Sequence, residues 1–316
     1  MKRRLLSGAV ALAVALPLAA CSADAAPDRS PDGKLEVLAA FYPLQYLAQE
    51  VGGEHVEVSS LTPAGAEPHD LELSPNDVTR LSGAGAVLYL SGFQPAVDDA
   101  VAQTEPEHAL DVAGSADLHA AEDGEDDHAA EEDHTAEDHA GHDHGNLDPH
   151  FWLDPARLAR VAEAVGEELG AADPDNADAY AAGAADVRER LLGLDAAYRE
   201  GLAQCQTRTI VVAHEAYGYL AEAYDLTQVG LAGLDPETEP SPARLREVAE
   251  VAREAGTTTI FTESLVNPEV AQTLADDLGL ATAVLDPVEA QADPDADYAD
   301  VMTSNLTTLR SALECA

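Results

Sequence analysis

Short apolar runs alternate with amphipathic helical stretches through most of this chain, and that alternation restricts the fold more than any other feature. Strand-like runs occur at Leu35–Phe41, Val56–Leu61 and Ala86–Leu90. The last is continuously apolar, as parallel strands buried on both faces require. A helix is expected over Pro43–Val51, and another opens at Ser74-Pro75, where serine suits the N-cap and proline the first turn. The second half repeats the pattern. Strands are expected at Thr209–Ala213, Thr257–Thr262 and Ala281–Leu285, with helices starting at Ser241-Pro242 and Asn267-Pro268 and a last one over Tyr298–Glu314. Such alternation builds βαβ units. The expected fold class is therefore α/β, with two lobes, each a mainly parallel sheet flanked by helices.

Between the halves, Asp154-Pro155 caps a helix that places Leu158, Val161, Val165 and Leu169 on one face. Asp173-Pro174 then opens the longest pattern, with Tyr180, Ala184, Val187, Leu191, Leu194 and Tyr198 at steps of four and three. Roughly 28 residues at 1.5 Å each would span about 42 Å, more than one small lobe. Residues 173–204 are accordingly expected to be one long rigid helix joining an N-terminal lobe, 35–172, to a C-terminal lobe, 205–316. A cleft between the lobes follows from this arrangement.

The first residues read as an export signal. Met1-Lys2-Arg3-Arg4 is basic, and Leu5–Leu16 is apolar but too short for a membrane span. Leu18-Ala19-Ala20-Cys21 looks like a bacterial lipobox, so residues 1–20 are expected to be removed and Cys21 to carry lipid. Residues 21–34 would form a polar tether. The protein would then sit on the outer face of the cytoplasmic membrane, held by acyl chains. Cys205 and Cys315 remain, an even pair in an oxidising compartment, and no Cys-x-x-Cys spacing points to a thiolate metal site. A disulfide between them is expected, pinning the last helix to the strand that begins near Thr207.

The net charge of −44 over 316 residues excludes nucleic acid and anionic lipid headgroups as electrostatic partners. Part of it is local: residues 119–148 hold twelve Asp or Glu and no Lys or Arg. With few large apolar groups, 115–146 is expected to be a disordered loop.

Four residues with metal-ligand chemistry fall where a cleft would have its loops. His69 follows the Val56–Leu61 strand, His150 follows the acidic stretch, His214 ends Ile210-Val211-Val212-Ala213, and Asp286 ends Ala281-Thr282-Ala283-Val284-Leu285. Ligands of open parallel sheets bind outside the carboxyl ends of the strands. Three imidazoles and one carboxylate suit four-coordinate Zn²⁺, whereas Mn²⁺ prefers more oxygen and copper competes by raw affinity. A single histidine in such a place is more often a hydrogen-bonded core or surface residue; the combination is what carries weight.

At these residues the chain resembles the zinc/manganese solute-binding lipoproteins of ABC importers, the ZnuA-like family. The resemblance runs from Leu35 onward, through Gly65-Ala66-Glu67-Pro68-His69-Asp70, Asp148-Pro149-His150-Phe151-Trp152-Leu153-Asp154-Pro155 and His214-Glu215-Ala216-Tyr217-Gly218-Tyr219-Leu220. It continues in Glu239-Pro240-Ser241-Pro242 and Leu285-Asp286-Pro287. It implies two α/β lobes joined by one long helix, with His69, His150, His214 and Asp286 as the metal ligands. It also implies a monomer that binds Zn²⁺ and delivers it to an ABC permease. Manganese-type members carry a carboxylate at the third ligand position, so His214 favours zinc over a manganese or mixed-metal cargo. A surface adhesin or a zinc buffer is the alternative from another class.

His119, His128, His134, His139, His142 and His144 lie in and beside the acidic stretch, and zinc-type relatives carry similar His-rich loops. Near their usual pKa several imidazoles are neutral at pH 7 and able to coordinate metal, which makes them candidates for additional weak zinc sites. An acidic solubilising insertion is the plainer reading. Glu215 and Glu263 could serve a metallohydrolase as general base. The chain has no His-Glu-x-x-His helix, however, and four ligands would close the position that catalytic zinc keeps open for water. No enzymatic activity is expected, and both glutamates are read as supports for the ligands.

Overall fold

The computed structural model describes residues 29–119 and 147–316. The expected signal peptide, Cys21, most of the tether, and His128, His134, His139, His142 and His144 lie outside the described residues.

The N-terminal lobe is built on β1 (Leu35–Ala39), β2 (Val56–Ser60), β3 (Ala86–Tyr89) and β4 (Ala109–Asp111), in the order β2-β1-β3-β4. All three pairings are parallel, with Val37 opposite both Val58 and Ala86. The crossovers are α1 (Tyr42–Gly52), α2 (Pro75–Gly83) and α3 (Pro95–Thr104). Ser74 caps α2 through a reciprocal pair with Asp77. A single turn, α4 (Ala113–Ala116), follows β4. It replaces the first residues of the expected disordered loop.

The C-terminal lobe repeats the plan with β5 (Thr209–Val212), β6 (Thr227–Gly230), β7 (Thr259–Thr262) and β8 (Ala281–Val284), again all parallel and ordered β6-β5-β7-β8. Between the lobes in sequence run α5 (Pro155–Ala172) and α6 (Ala177–Gly201). The rest is α7 (Gly218–Tyr224), α8 (Pro242–Glu254), α9 (Glu269–Leu278) and α10 (Tyr298–Ala312). Each lobe thus has one switch point where the chain reverses direction across its sheet, the place where such folds form crevices.

The long helix begins at Ala177, after a short 3-10 turn at Pro174–Asn176, and its 25 residues span roughly 37 Å. Its first half packs on the N-terminal lobe. There a Cβ on Gly183 would lie 2.3 Å from the Val51 carbonyl oxygen, so glycine is what permits the approach to α1. Its second half packs on the C-terminal lobe, where the Tyr198 hydroxyl donates to the Met302 carbonyl at 2.7 Å. The stripe residues Tyr180, Val187, Leu191 and Tyr198 are all buried. The Cys205–Cys315 disulfide forms as expected and ties the end of α10 to the start of β5. Main-chain bonds from Gln206 and Thr207 to Leu313 reinforce the same junction.

Five elements have no counterpart in the apolar-run reading: α3, α4, β4, β6 and α7. Both strands lie at sheet edges with half-exposed residues, Ala-Leu-Asp and Thr-Gln-Val-Gly, so they lack the continuous apolar signal of a central strand. The last part of the expected tether is also folded. Residues 30–34 form a turn, and Arg29 donates to the buried Asp173 carboxylate at 2.7 Å, at the entry to α6.

Candidate metal centre

His69, His150, His214 and Glu289 meet between the lobes. One ligand-capable atom of each lies within 4.8 Å of the others, the one such group among the described residues. Glu289 Oε1 sits 3.0 Å from His150 Nε2, 3.2 Å from His214 Nε2 and 3.4 Å from His69 Nε2. All three imidazoles therefore turn the same nitrogen inward. Ring centroids are 5.3–6.0 Å apart. His150 and His214 are fully buried and Glu289 is 5% exposed. His150 Nε2, although close to Glu289, has no hydrogen bond, an orphaned buried nitrogen at the centre of the group.

Each histidine is aimed by its own support. His150 follows Asp148-Pro149, and one Asp148 oxygen accepts both its main-chain N–H (2.9 Å) and its Nδ1–H (2.7 Å). His214 leaves the end of β5, and Glu263, at the end of β7, accepts its N–H (3.2 Å) and Nδ1–H (2.8 Å). A carboxylate on Nδ1 fixes the tautomer that leaves Nε2 free for a metal. Glu263 is thus a support for His214, and Glu215 pairs instead with Arg244 at 2.9 Å. His69 is held by its loop. Gln94, 1% exposed, donates to the Pro68 carbonyl and to the Thr62 hydroxyl, each at 3.0 Å, and Phe93 packs edge-on against the imidazole at 4.8 Å.

The electrostatics follow from this closeness. Burial pushes the Glu289 carboxyl up, but its contacts with the three imidazoles outweigh that and hold it well below the usual carboxylate range. Burial pushes the His214 imidazole down, yet Glu263 and Glu289 together raise it to about 10. His150 is likewise raised, against its burial, by Asp148 and Glu289. A proton held on His214 offsets the buried Glu289 charge, and a divalent cation bound there would displace it.

The fourth member of the group is Glu289 rather than the expected Asp286. Asp286 is occupied in shaping the turn. One oxygen accepts the Val288 N–H at 2.8 Å, the other accepts the Ser264 hydroxyl at 2.8 Å, and its own N–H goes to Asn305 at 3.0 Å. Val288 takes φ 58°, a left-handed conformation that is rare for a β-branched residue. That kink swings Glu289 inward and leaves Asp286 beside the site. The sequence pattern singles out none of Gln94, Phe93 and Glu289, which the fold places at or beside this group. For Glu289 the available signal was its place in the loop after a C-terminal-lobe strand, three residues beyond the candidate chosen.

His119 is the one histidine of the acidic stretch among the described residues. It lies away from the group, with Nε2 against the Arg157 guanidinium.

Residues 37–312 match the family described as ZnuA, zinc-uptake complex component A, periplasmic. The chain is 33% identical over 308 residues to the zinc-binding lipoprotein AdcA of Streptococcus pneumoniae, covering 95% of this chain but 59% of that protein. It thus spans about three-fifths of that relative's length. It is 31% identical to the high-affinity zinc uptake system protein ZnuA of Bacillus subtilis, over 97% of both chains. Its fold is similar to the Zn(II)-bound ZnuA-like domain of S. pneumoniae AdcA, with TM-score 0.72 and 30% identity over 89% of this chain and all of that one. With a family model matched across most of its length and a relative 31% identical over 97% of both chains, the chain belongs to the ZnuA family of zinc-uptake components.

Proposed function

We propose that this chain is the extracytoplasmic binding component of an ABC zinc importer, capturing Zn²⁺ between its lobes and delivering it to the permease. The observation that carries the reading is the convergence of three Nε2 atoms and one buried carboxylate within 4.8 Å. His69, His150, His214 and Glu289 would be the ligands. Three nitrogens and one oxygen are the donor set of tetrahedral zinc, and Mn²⁺ would call for more oxygen. Four protein ligands also leave no open position of the kind catalytic zinc reserves for water, which supports a carrier.

In the same reading the chain is exported, acts as a monomer and is anchored by lipid on Cys21, in keeping with the lipobox and the lipoprotein name of its relative. No helix among the described residues is long and apolar enough to cross a membrane. The histidines between 119 and 144 would add weaker zinc sites.

Native mass spectrometry of protein purified without added metal should find one zinc per chain. Chelator competition should find a single tight site, weakened strongly by His69→Ala, His150→Ala or His214→Ala. Deleting residues 120–146 should retain that site and remove the weaker equivalents. Loss of the tight site on deletion would reassign the primary ligands to that segment.

A further inference from the structure

Around His150 lies a set of contacts that the ligand group does not require. Tyr219, on α7 of the C-terminal lobe, is 2% exposed and turns its hydroxyl to the other lobe. It donates to the Asp148 carbonyl at 2.9 Å and accepts the His119 N–H at 3.0 Å. The Asp148 N–H in turn donates to the His119 carbonyl at 3.1 Å, so the two residues flanking the acidic stretch are joined at one point. The Arg157 guanidinium lies 4.6 Å over the Tyr219 ring and donates to the carbonyls of Ala116 and Asp117. Beside Tyr219, a Cβ on Gly218 would stand 2.6 Å from Asp148 Oδ2. Asp148 is thereby enclosed, its carbonyl on Tyr219, Oδ1 on His150 and Oδ2 against Gly218.

We propose that Tyr219 and Gly218 are positioning residues for zinc, seating Asp148 across the lobe boundary so that Asp148 fixes the tautomer and direction of the His150 ring. The inference rests on the zinc reading above. An imidazole that gives Nε2 to a metal carries its proton on Nδ1, and that proton needs an acceptor held in place. His150 is fully buried, and Asp148 is the acceptor recorded at its Nδ1. Tyr219 and Gly218 belong to one lobe and His150 to the other, so this seat is complete only when the lobes are together. Lobe approach therefore does two things: it brings His214 and Glu289 to the N-terminal lobe's histidines, and it locks His150 in its metal-binding orientation.

The test uses Tyr219→Phe, Gly218→Ala and Asp148→Asn in the full chain, with zinc affinity read by chelator competition. Each should weaken binding about 10- to 100-fold, the range for losing a ligand's outer partner. Combining Tyr219→Phe with Asp148→Asn should cost little beyond Asp148→Asn alone. Combining Tyr219→Phe with Glu263→Gln should multiply the two losses, because Glu263 orients a different histidine. Nitrogen NMR of the zinc form should show the His150 ring shifted in Tyr219→Phe and Gly218→Ala while His214 is unmoved, which general loosening would not produce. Wild-type affinity and an unshifted His150 in Tyr219→Phe would overturn the assignment. So would losses that multiply between Tyr219 and Asp148. Absence of tight zinc in the wild-type protein would instead overturn the functional reading itself, and this assignment with it.

Discussion

Glu289→Gln and Asp286→Asn separate two carboxylates that are three residues apart and differ entirely in what they touch. Glutamine keeps the shape of Glu289 but removes the charge from a side chain whose Oε1 lies 3.0–3.4 Å from three imidazole nitrogens. Breaking a buried ion pair by neutralising one member costs about 3–5 kcal/mol. At 1.4 kcal/mol per tenfold, zinc affinity should fall by about two to three and a half orders of magnitude. Asparagine at 286 retains an oxygen for the Val288 N–H and a group that can meet the Ser264 hydroxyl, so the turn should survive. Its effect should stay under about tenfold, the scale of one neutral hydrogen bond. Competition against a chromophoric zinc chelator measures both variants on one scale. If Asp286→Asn weakens zinc as much as Glu289→Gln does, the fourth ligand is Asp286 and the account of the Val288 kink is wrong.

Three further outcomes follow from the charges and the cross-link. His214, at about 10 in the metal-free protein, is protonated at pH 7, so zinc must expel that proton. Calorimetry in two buffers of different ionisation enthalpy should show proton release at pH 7, with affinity rising toward pH 10; equal heats would contradict it. Because that folded-state value lies above the ordinary 6.5, its stabilisation of the metal-free protein is complete below pH 6.5 and is lost as pH climbs through 10. Thermal melts of the metal-free protein across that window would show no decline if the contact with Glu263 and Glu289 were absent. Replacing both Cys205 and Cys315 by serine opens a loop of 110 residues. The variant should lose about 4–5 kcal/mol and melt on the order of 10 °C lower by calorimetry, and an unchanged melting temperature would refute a stabilising role.

The sequence alone carried the parts of this protein that depend on local pattern. Continuous apolar runs marked the central strands, because a strand covered on both faces has no polar positions to spare. Tyr180, Val187, Leu191 and Tyr198 marked the long helix, because one buried stripe at helical spacing is independent of what it packs against. His69 and His214 were legible from strands that end where parallel sheets form crevices, and Cys205 with Cys315 from simple counting.

The tertiary structure decided what no spacing encodes. Edge strands β4 and β6 exist because a neighbouring strand supplies hydrogen bonds, not because their own residues are apolar. The choice of Glu289 over Asp286 depends on a left-handed turn at Val288, held by Asp286 itself, in a stretch where both acids had equal claim as sequence. Gln94 under the His69 loop and Tyr219 against Asp148 act on residues 26 and 71 positions away. Their roles are set by packing between segments that the folded chain brings together, and a linear pattern of side chains holds no record of such distances.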